Sequence, residues 1–242
     1  MSGHSKWANI KHKKERTDSK RGKIFTKIGR EIAVAVKEGG SDPESNSKLK
    51  DVVAKAKVNN MPNDTISRSI KKAAGELGNI NYESVVYEGY GPGGVAVIVE
   101  ALTDNRNRTA GEVRHSFDKN GGSLGATGCV GWMFERKGVI VIENSDGIDA
   151  DELMLAALDA GALDVQDDEG ALEITTDTAS FSQVYDALEK SGYTFAIAEV
   201  QLVPSNTVDV TEEIEESVLK MLDMLEDNDD VQNVYHNAVI DE

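Results

Sequence analysis

The sequence has one cysteine, no long hydrophobic run and no recognisable leader, and each shortage excludes a class of protein. Cys129 has no second thiol with which to form an internal disulfide or a metal cluster, which indicates a reducing compartment. No apolar run reaches the ~20 residues of a transmembrane helix, and the polar N-terminus is unlike a secretory signal. We therefore expect a cytoplasmic protein with no membrane partner.

Catalytic and metal-binding signatures are also missing. The 4 histidines are far apart in the sequence and lack zinc-ligand spacing, and no pair among the 43 acidic residues stands out as general acid and base. Gly89–Gly94 satisfies Gly-x-Gly-x-x-Gly, but a β-branched segment follows it in place of the helix that would hold a pyrophosphate. We expect no enzymatic activity, cofactor, metal or small-molecule substrate.

What the sequence does have is a very uneven distribution of charge. Its net charge is −17, yet residues 1–80 carry 18 Lys and Arg against 9 Asp and Glu, while residues 81–242 carry 8 against 34. Such polarity indicates separate modules. Because basic side chains bind phosphates by displacing counterions, the N-terminal module is expected to bind nucleic acid.

The basic charge is densest at the start of the chain. Ten Lys and Arg oppose only Glu15 and Asp18 within the first 30 residues, and scarce apolar side chains predict a mobile arm over about the first 20. Trp7 could stack on a base or anchor the arm to its domain, and both readings stay open. The nucleic-acid-binding residues predicted in this region are Lys6, Trp7, Lys11, His12, Lys13, Lys14, Arg16, Lys20, Arg21, Lys23, Lys27 and Arg30.

Apolar periodicity predicts three helices within residues 1–80. The first begins near Lys20, ends at a Gly-Gly pair, and places an apolar stripe opposite its basic residues. The second is expected to start behind Asp42 as its cap, and the third to follow Asn63. These elements indicate a small helical domain.

The rest of the chain indicates two α/β modules. Residues 137–203 follow the strand–helix–strand–strand–helix–strand order of a ferredoxin-like unit. Residues 81–136 predict a hairpin, a helix from about Thr109 and a strand at Val130–Phe134, and residues 204–242 would complete this interrupted module. We predict an α+β protein with an N-terminal three-helix domain and two α/β ferredoxin-like domains, one inserted into the other.

Arg106 and Arg108 lie where a predicted strand gives way to a helix. Asn107 or Thr109 could cap that helix, which is the purely structural interpretation. Cations at a helix N-terminus oppose the helix dipole unless an anion lies between them. Arg106 and Arg108 are therefore also predicted to contact a phosphate.

Four segments resemble the YebC family of bacterial proteins, whose mitochondrial relatives are translational activators. They are GHSKWANIK from Gly3, KRGKIF from Lys20, YEGYGPGG from Tyr87 and TDNRNRT from Thr103, and the similarity covers essentially the whole chain. The resemblance implies a helical N-terminal domain followed by two α/β domains.

The resemblance also implies a role in gene expression. Family members are commonly described as transcriptional regulators that bind DNA, whereas others resemble ribosome-associated factors. No helix-turn-helix pattern stands out in the sequence, and a lysine-rich arm would suit ribosomal RNA equally well. The expected function is non-enzymatic regulation through nucleic acid, with DNA-binding transcription regulation as the lead and translational activation on rRNA or the ribosome as the alternative.

Overall fold

The structure is a computed structural model that describes residues 21–75, 82–143, 148–168 and 170–240. The chain divides into two compact units: Met1–Leu77 with Arg136–Gln201, and Gly78–Glu135 with Leu202–Glu242. The fold is α+β, as predicted. The predicted mobile arm lies outside the described residues. The division into three domains at residues 80, 136 and 203 stays a prediction.

Three helices come first in the described part of the chain, and strands interspersed with single helices follow. In chain order they are α1 (Arg21–Gly39), α2 (Ser47–Val58), α3 (Asn63–Gly75), β1 (Glu83–Tyr90), β2 (Ala96–Thr103), α4 (Arg106–Lys119), β3 (Ser123–Leu124), β4 (Phe134–Glu143), α5 (Ala150–Asp159), β5 (Asp164–Asp168), β6 (Ala171–Thr176), α6 (Phe181–Lys190), β7 (Ile197–Pro204), β8 (Val208–Asp209), α7 (Glu212–Asp227), β9 (Val231–His236) and β10 (Ala238–Val239).

The first unit begins with the three predicted helices. Ile28 and Ile32 of α1 are fully buried and pack with Leu49 of α2 and Ile66 of α3 in one apolar cluster. The apolar stripe that the sequence predicts for α1 is therefore confirmed. Its Gly-Gly stop is confirmed as well, because Gly40 adopts a φ of +88° just after the helix ends.

The predicted start of α2 at Asp42 is wrong. Asp42 Oδ1 accepts a backbone N–H two residues further on and closes only a local turn. The cap is Asn46, whose Oδ1 accepts the N–H of Leu49 at 3.1 Å while its Nδ2 donates to the carbonyls of Ala35 and Gly40, both at 2.8 Å. Asn46 is buried and joins two helices, whereas Asp42 can bond only within its own turn.

The first unit continues with the predicted ferredoxin-like arrangement. Its sheet has the strand order β5-β6-β4-β7, and β6 pairs antiparallel with both β5 and β4. Leu153 of α5 and Phe181 of α6 are fully buried against Ile140 and Ile174 of the sheet. The strand and helix order predicted over residues 137–203 is thus confirmed.

The second unit is built around a sheet of order β3-β1-β2-β9. Phe117 of α4 and Met221 of α7 pack with Val97 and Val99 of β2, so two helices cover one face of this sheet. As in the first unit, two helices pack against a four-stranded sheet. Here β1 and β2 form a hairpin with the register Val86↔Glu100. A separate two-stranded parallel pair, β8 and β10, lies in the same unit.

The glycines of the hairpin turn allow α7 to pack closely. A Cβ at Gly91 would lie 2.7 Å from Met221 Cε, and one at Gly93, whose φ is +70°, would lie 2.8 Å from Ile214 Cγ2. A side chain at Gly91 would displace the flexible end of Met221, and one at Gly93 would press on Ile214 of α7 and strain the backbone. The Gly-x-Gly-x-x-Gly pattern at Gly89–Gly94 thus has a packing role in this fold.

The strand predicted at Val130–Phe134 is also wrong. Gly131–Met133 form a short 3₁₀ turn, and β4 begins only at Phe134. The backbone N–H groups of Val130 and Gly131 donate to the carboxylate of Glu88 at 3.0 and 2.6 Å. Because these donors bond a side chain, they are not available to a strand ladder.

Candidate nucleic-acid interface

Helix α1 places basic side chains opposite its buried stripe. Lys23, Lys27 and Arg30 are spaced by four and three residues, which puts them on one helical face. Lys23 is exposed, and Lys27 and Arg30 are half-buried. This face is the part of the predicted basic surface that the structure describes.

Each lysine of α2 pairs with a carboxylate of the same unit. Lys48 pairs with Glu38 of α1 at 2.6 Å. The other three reach the ferredoxin-like segment of the same unit, in the pairs Lys50–Asp186 at 2.6 Å, Lys57–Glu189 at 3.3 Å and Lys55–Glu199 at 3.3 Å. Helix α2 therefore uses its positive charge within the protein.

Lys55 is the most enclosed of these cations. Its Nζ lies 3.0 Å from Glu31 Oε1 and 3.3 Å from Glu199 Oε2, and all three side chains are less than a fifth exposed. Burial disfavours the charged lysine, but the two carboxylates outweigh it and raise the pKa of Lys55 above its usual value. The triad connects α1, α2 and β7.

Helix α3 carries basic residues that are not among the predicted nucleic-acid-binding residues. Arg68, Lys71 and Lys72 are exposed on α3, while Ile66 of the same helix is buried in the three-helix core. Their spacing of three and four residues was a signal for a shared basic face. The described basic surface of the first unit is thus divided between α1 and α3.

The predicted binding residues fall into three groups. Lys23, Lys27 and Arg30 share the α1 face, and Arg21 opens that helix. Arg106 and Arg108 belong to the second unit. The remaining residues of the prediction lie outside the described part of the chain: Lys6, Trp7, Lys11, His12, Lys13, Lys14, Arg16 and Lys20.

Helix α4 begins earlier than the predicted start at Thr109. Its cap is Asn105, whose Oδ1 accepts the backbone N–H of Arg108 at 3.2 Å, so neither Asn107 nor Thr109 caps it. Asn105 is favoured because its own N–H donates to Thr103 Oγ1 at 2.9 Å, which fixes the chain before the first turn.

The anion beside Arg108 is a carboxylate of the protein itself. Arg108 Nη2 donates to Asp230 Oδ2 at 2.6 Å and to Asp104 Oδ1 at 2.9 Å. The hydroxyl groups of Thr109 and Thr103 lie 2.8 and 3.2 Å from the same Asp230 oxygen. These hydrogen bonds raise the pKa of Arg108 above its usual value. The arrangement connects the TDNRNRT segment with the turn that precedes β9.

Arg106 differs from Arg108 in its surroundings. It occupies the first position of α4 and is exposed, and its backbone carbonyl accepts a hydrogen bond from the Tyr87 hydroxyl at 3.4 Å. The two arginines, which are predicted from the sequence to act together, therefore have different surroundings in the structure. Arg108 has an internal anion, and Arg106 presents its side chain to solvent.

Within residues 21–75, 82–143, 148–168 and 170–240, no three His, Cys, Asp or Glu side chains are grouped so that they could hold a metal ion. None of the helices in those ranges is long and apolar enough to span a membrane.

The fold and the basic surface define an α+β protein with a helical, basic N-terminal region. The model of the TACO1/YebC protein N-terminal domain matches residues 5–76, and that of the TACO1/YebC second and third domain matches residues 82–238. The chain belongs to the TACO1/YebC family, as its sequence motifs predict.

Relatives with the same domain content are similar over almost the full length. A probable transcriptional regulatory protein of Acetivibrio thermocellus is 66% identical over 98% of both chains. One of Clostridium acetobutylicum is 61% identical over 100% of this chain and 98% of its own. The crystal structure of a conserved hypothetical protein from Aquifex aeolicus has a TM-score of 0.81 and 47% identity, and the match covers 93% of each chain.

Proposed function

We propose that the chain is a non-enzymatic regulator of gene expression that binds nucleic acid through its N-terminal basic region. The observation that carries this proposal is the basic face of α1, with Lys23, Lys27 and Arg30 opposite a buried apolar stripe. It directly follows a segment in which Lys and Arg are dense. Dense positive charge of this kind binds phosphates by counterion release.

Helix α2 uses its lysines to bind other parts of the first unit. The α2 lysines are engaged by carboxylates, three of which come from the acidic ferredoxin-like segment. Ser182 Oγ also donates to Asp51 Oδ1 at 2.7 Å, so α2 packs against α6 at this point. The proposed contact surface is the side of α1 and α3 on which Lys23, Arg68 and Lys71 are exposed.

DNA is the proposed target. Helices α2 and α3 are joined by only the four residues 59–62, a length typical of helix-turn-helix units, and the second helix exposes Arg68 and Lys71. The curated relatives named above are called probable transcriptional regulatory proteins. Ribosomal RNA is the second candidate, favoured by the lysine-rich sequence of residues 6–20, since such arms commonly order on RNA.

The test compares two double variants that remove the same charge. Lys23→Gln with Lys27→Gln changes the α1 face, and Lys190→Gln with Lys220→Gln is the matched control elsewhere on the surface. Each protein is titrated with duplex DNA and with rRNA fragments at several salt concentrations. The α1 variant should reduce the slope of log affinity against log salt by about 2 on duplex DNA, because two phosphate contacts are lost. The control should leave the slope unchanged.

The physiological target is identified by crosslinking in cells followed by sequencing of the attached nucleic acid. Recovery of promoter DNA supports transcriptional regulation, and recovery of rRNA supports the translational alternative. Equal effects of the two double variants would show that the contact surface is not on α1.

A further inference from the structure

The glycine-rich loop between β3 and β4, residues 125–133, carries an exposed tryptophan. The side chain of Trp132 is 74% exposed, the largest exposure among the large apolar residues described. Residues 125–128 of the same loop are exposed as well, and all four are small: Gly, Ala, Thr and Gly. An indole so exposed gains little free energy from burial in the fold.

The loop is anchored by one buried carboxylate, although its glycine content predicts flexibility. Glu88 is 7% exposed, and its two oxygens accept the backbone N–H groups of Gly128, Val130 and Gly131 at 2.8, 3.0 and 2.6 Å. Burial disfavours the ionised form, but these three donors outweigh it and lower the pKa of Glu88. The loop thus has a defined conformation on the sheet.

The aromatic ring itself is also held in place. Trp132 Nε1 donates to the carbonyl of Cys129 at 3.2 Å, and the hydroxyl of Tyr90 donates to the same carbonyl at 3.3 Å. The polar edge of the indole is therefore satisfied within the protein. What remains for an external partner is the flat apolar surface of the ring.

The surroundings of Trp132 favour a planar ligand over an apolar protein surface. Residues 121–134 contain no charged side chain in a chain of which 29% is charged, so no carboxylate of this loop repels a phosphate backbone. Protein interfaces need a broad apolar patch, whereas stacking on a base needs one aromatic plane. Small neighbours leave room around that plane.

We propose that Trp132 is a stacking site for an unpaired nucleobase, presented by a loop that Glu88 holds rigid. This inference rests on the proposed function, because phosphate contacts elsewhere on the protein must first bring the strand. It adds a second contact of a different kind: the basic face of α1 binds phosphates, and Trp132 binds a base.

Trp132 can report on its own binding. The chain has 2 tryptophans, so in full-length protein carrying Trp7→Phe the fluorescence comes from Trp132 alone. Two single-stranded RNA probes of about 12 nucleotides are used, one of adenylates and one with abasic sugars and the same phosphates. The adenylate strand should quench Trp132, and the abasic strand should bind without quenching.

Affinity provides the second measurement. Trp132→Ala should weaken binding of the adenylate strand by about ten-fold without changing its salt dependence, since no phosphate contact is lost. Trp132→Phe should retain part of the affinity. The matched control is Leu155→Ala, which removes a 64% exposed apolar side chain from the first unit and should change nothing.

The outcomes distinguish this inference from the function on which it rests. Salt-dependent binding of both strands with no quenching and no effect of Trp132→Ala would overturn the stacking site and leave nucleic-acid binding standing. Quenching of Trp132 by a protein partner, with neither strand having an effect, would identify a protein contact and also overturn it. Failure to bind either strand would overturn the stacking site, and the titration with duplex DNA and rRNA would then decide the proposed function separately.

Discussion

The carboxylate of Asp230 offers the sharpest test of the described structure. It is 4% exposed, and its Oδ2 lies 2.6 Å from Arg108 Nη2, 2.8 Å from Thr109 Oγ1 and 3.2 Å from Thr103 Oγ1. Asp230→Asn keeps the shape but removes the charge and turns an acceptor into a donor. Losing one charge-assisted hydrogen bond and mismatching another should lower the free energy of unfolding by about 2 kcal/mol.

The control for this variant is its immediate neighbour. Asp229 is exposed, so Asp229→Asn makes the same chemical change without disturbing the buried network. Unfolding in urea is followed by the fluorescence of Trp132 in the Trp7→Phe protein, which reports on the second unit. The midpoint should fall for Asp230→Asn with the slope unchanged, and the melting temperature of the second unit should fall by about 8 to 16 °C.

The same variant also decides the role of Arg108. If Arg108 binds Asp230 and not a phosphate, Asp230→Asn, which releases the Arg108 side chain, should leave nucleic-acid affinity unchanged or slightly higher. Equal stability of the Asp230→Asn and Asp229→Asn proteins, within about 0.5 kcal/mol, would refute the buried network. In an Arg108→Gln variant, by contrast, a large loss of affinity at unchanged stability would support a phosphate contact by Arg108.

Three further predictions follow from the described contacts. Because the folded pKa of Glu88 lies below its usual 4.5, its ionised form should stabilise the Trp132 loop above that pH and lose this effect as the pH falls through the folded value. Glu88→Gln should abolish this acid-induced change in Trp132 fluorescence, and its persistence would assign it to another group. Lys55→Met should destabilise the first unit by roughly 1 to 3 kcal/mol in thermal or urea unfolding, because two enclosed carboxylates lose their cation; unchanged stability would mean that water compensates them. Replacing residues 137–203 with a short flexible linker should leave residues 82–136 and 204–240 cooperatively folded by Trp132 fluorescence, and a non-cooperative transition would contradict the predicted insertion.

Several features of this protein could be predicted from local sequence patterns. The period of apolar residues identified α1 and its buried stripe, because a helix repeats every 3.6 residues whatever it packs against. The order of strands and helices within residues 137–203 was equally predictable, since each element is encoded within a few residues. The charge asymmetry identified the basic module, and family motifs near Gly3 and Thr103 identified the family.

Helix starts were the weakest part of the prediction. Asp42 and Thr109 are both residue types that cap helices, yet Asn46 and Asn105 do so here. Capping ability is shared by many neighbouring polar residues, and tertiary hydrogen bonds select among them. For Asn46 the selecting bonds come from the end of α1, which the local sequence does not reveal.

The sequence by itself determined which residues are basic, that three helices precede the first strand, and the order of strands and helices within residues 137–203. Only the tertiary structure decided what each charge does. Arg108 meets Asp230, 122 residues away, and Lys50 meets Asp186, 136 residues away, so both cations are engaged within the protein. Local periodicity depends on backbone geometry over a few residues, whereas such pairs depend on the register and packing of distant elements. That is why the basic module could be recognised in the sequence, whereas the carboxylate partner of each cation could be identified only from the fold.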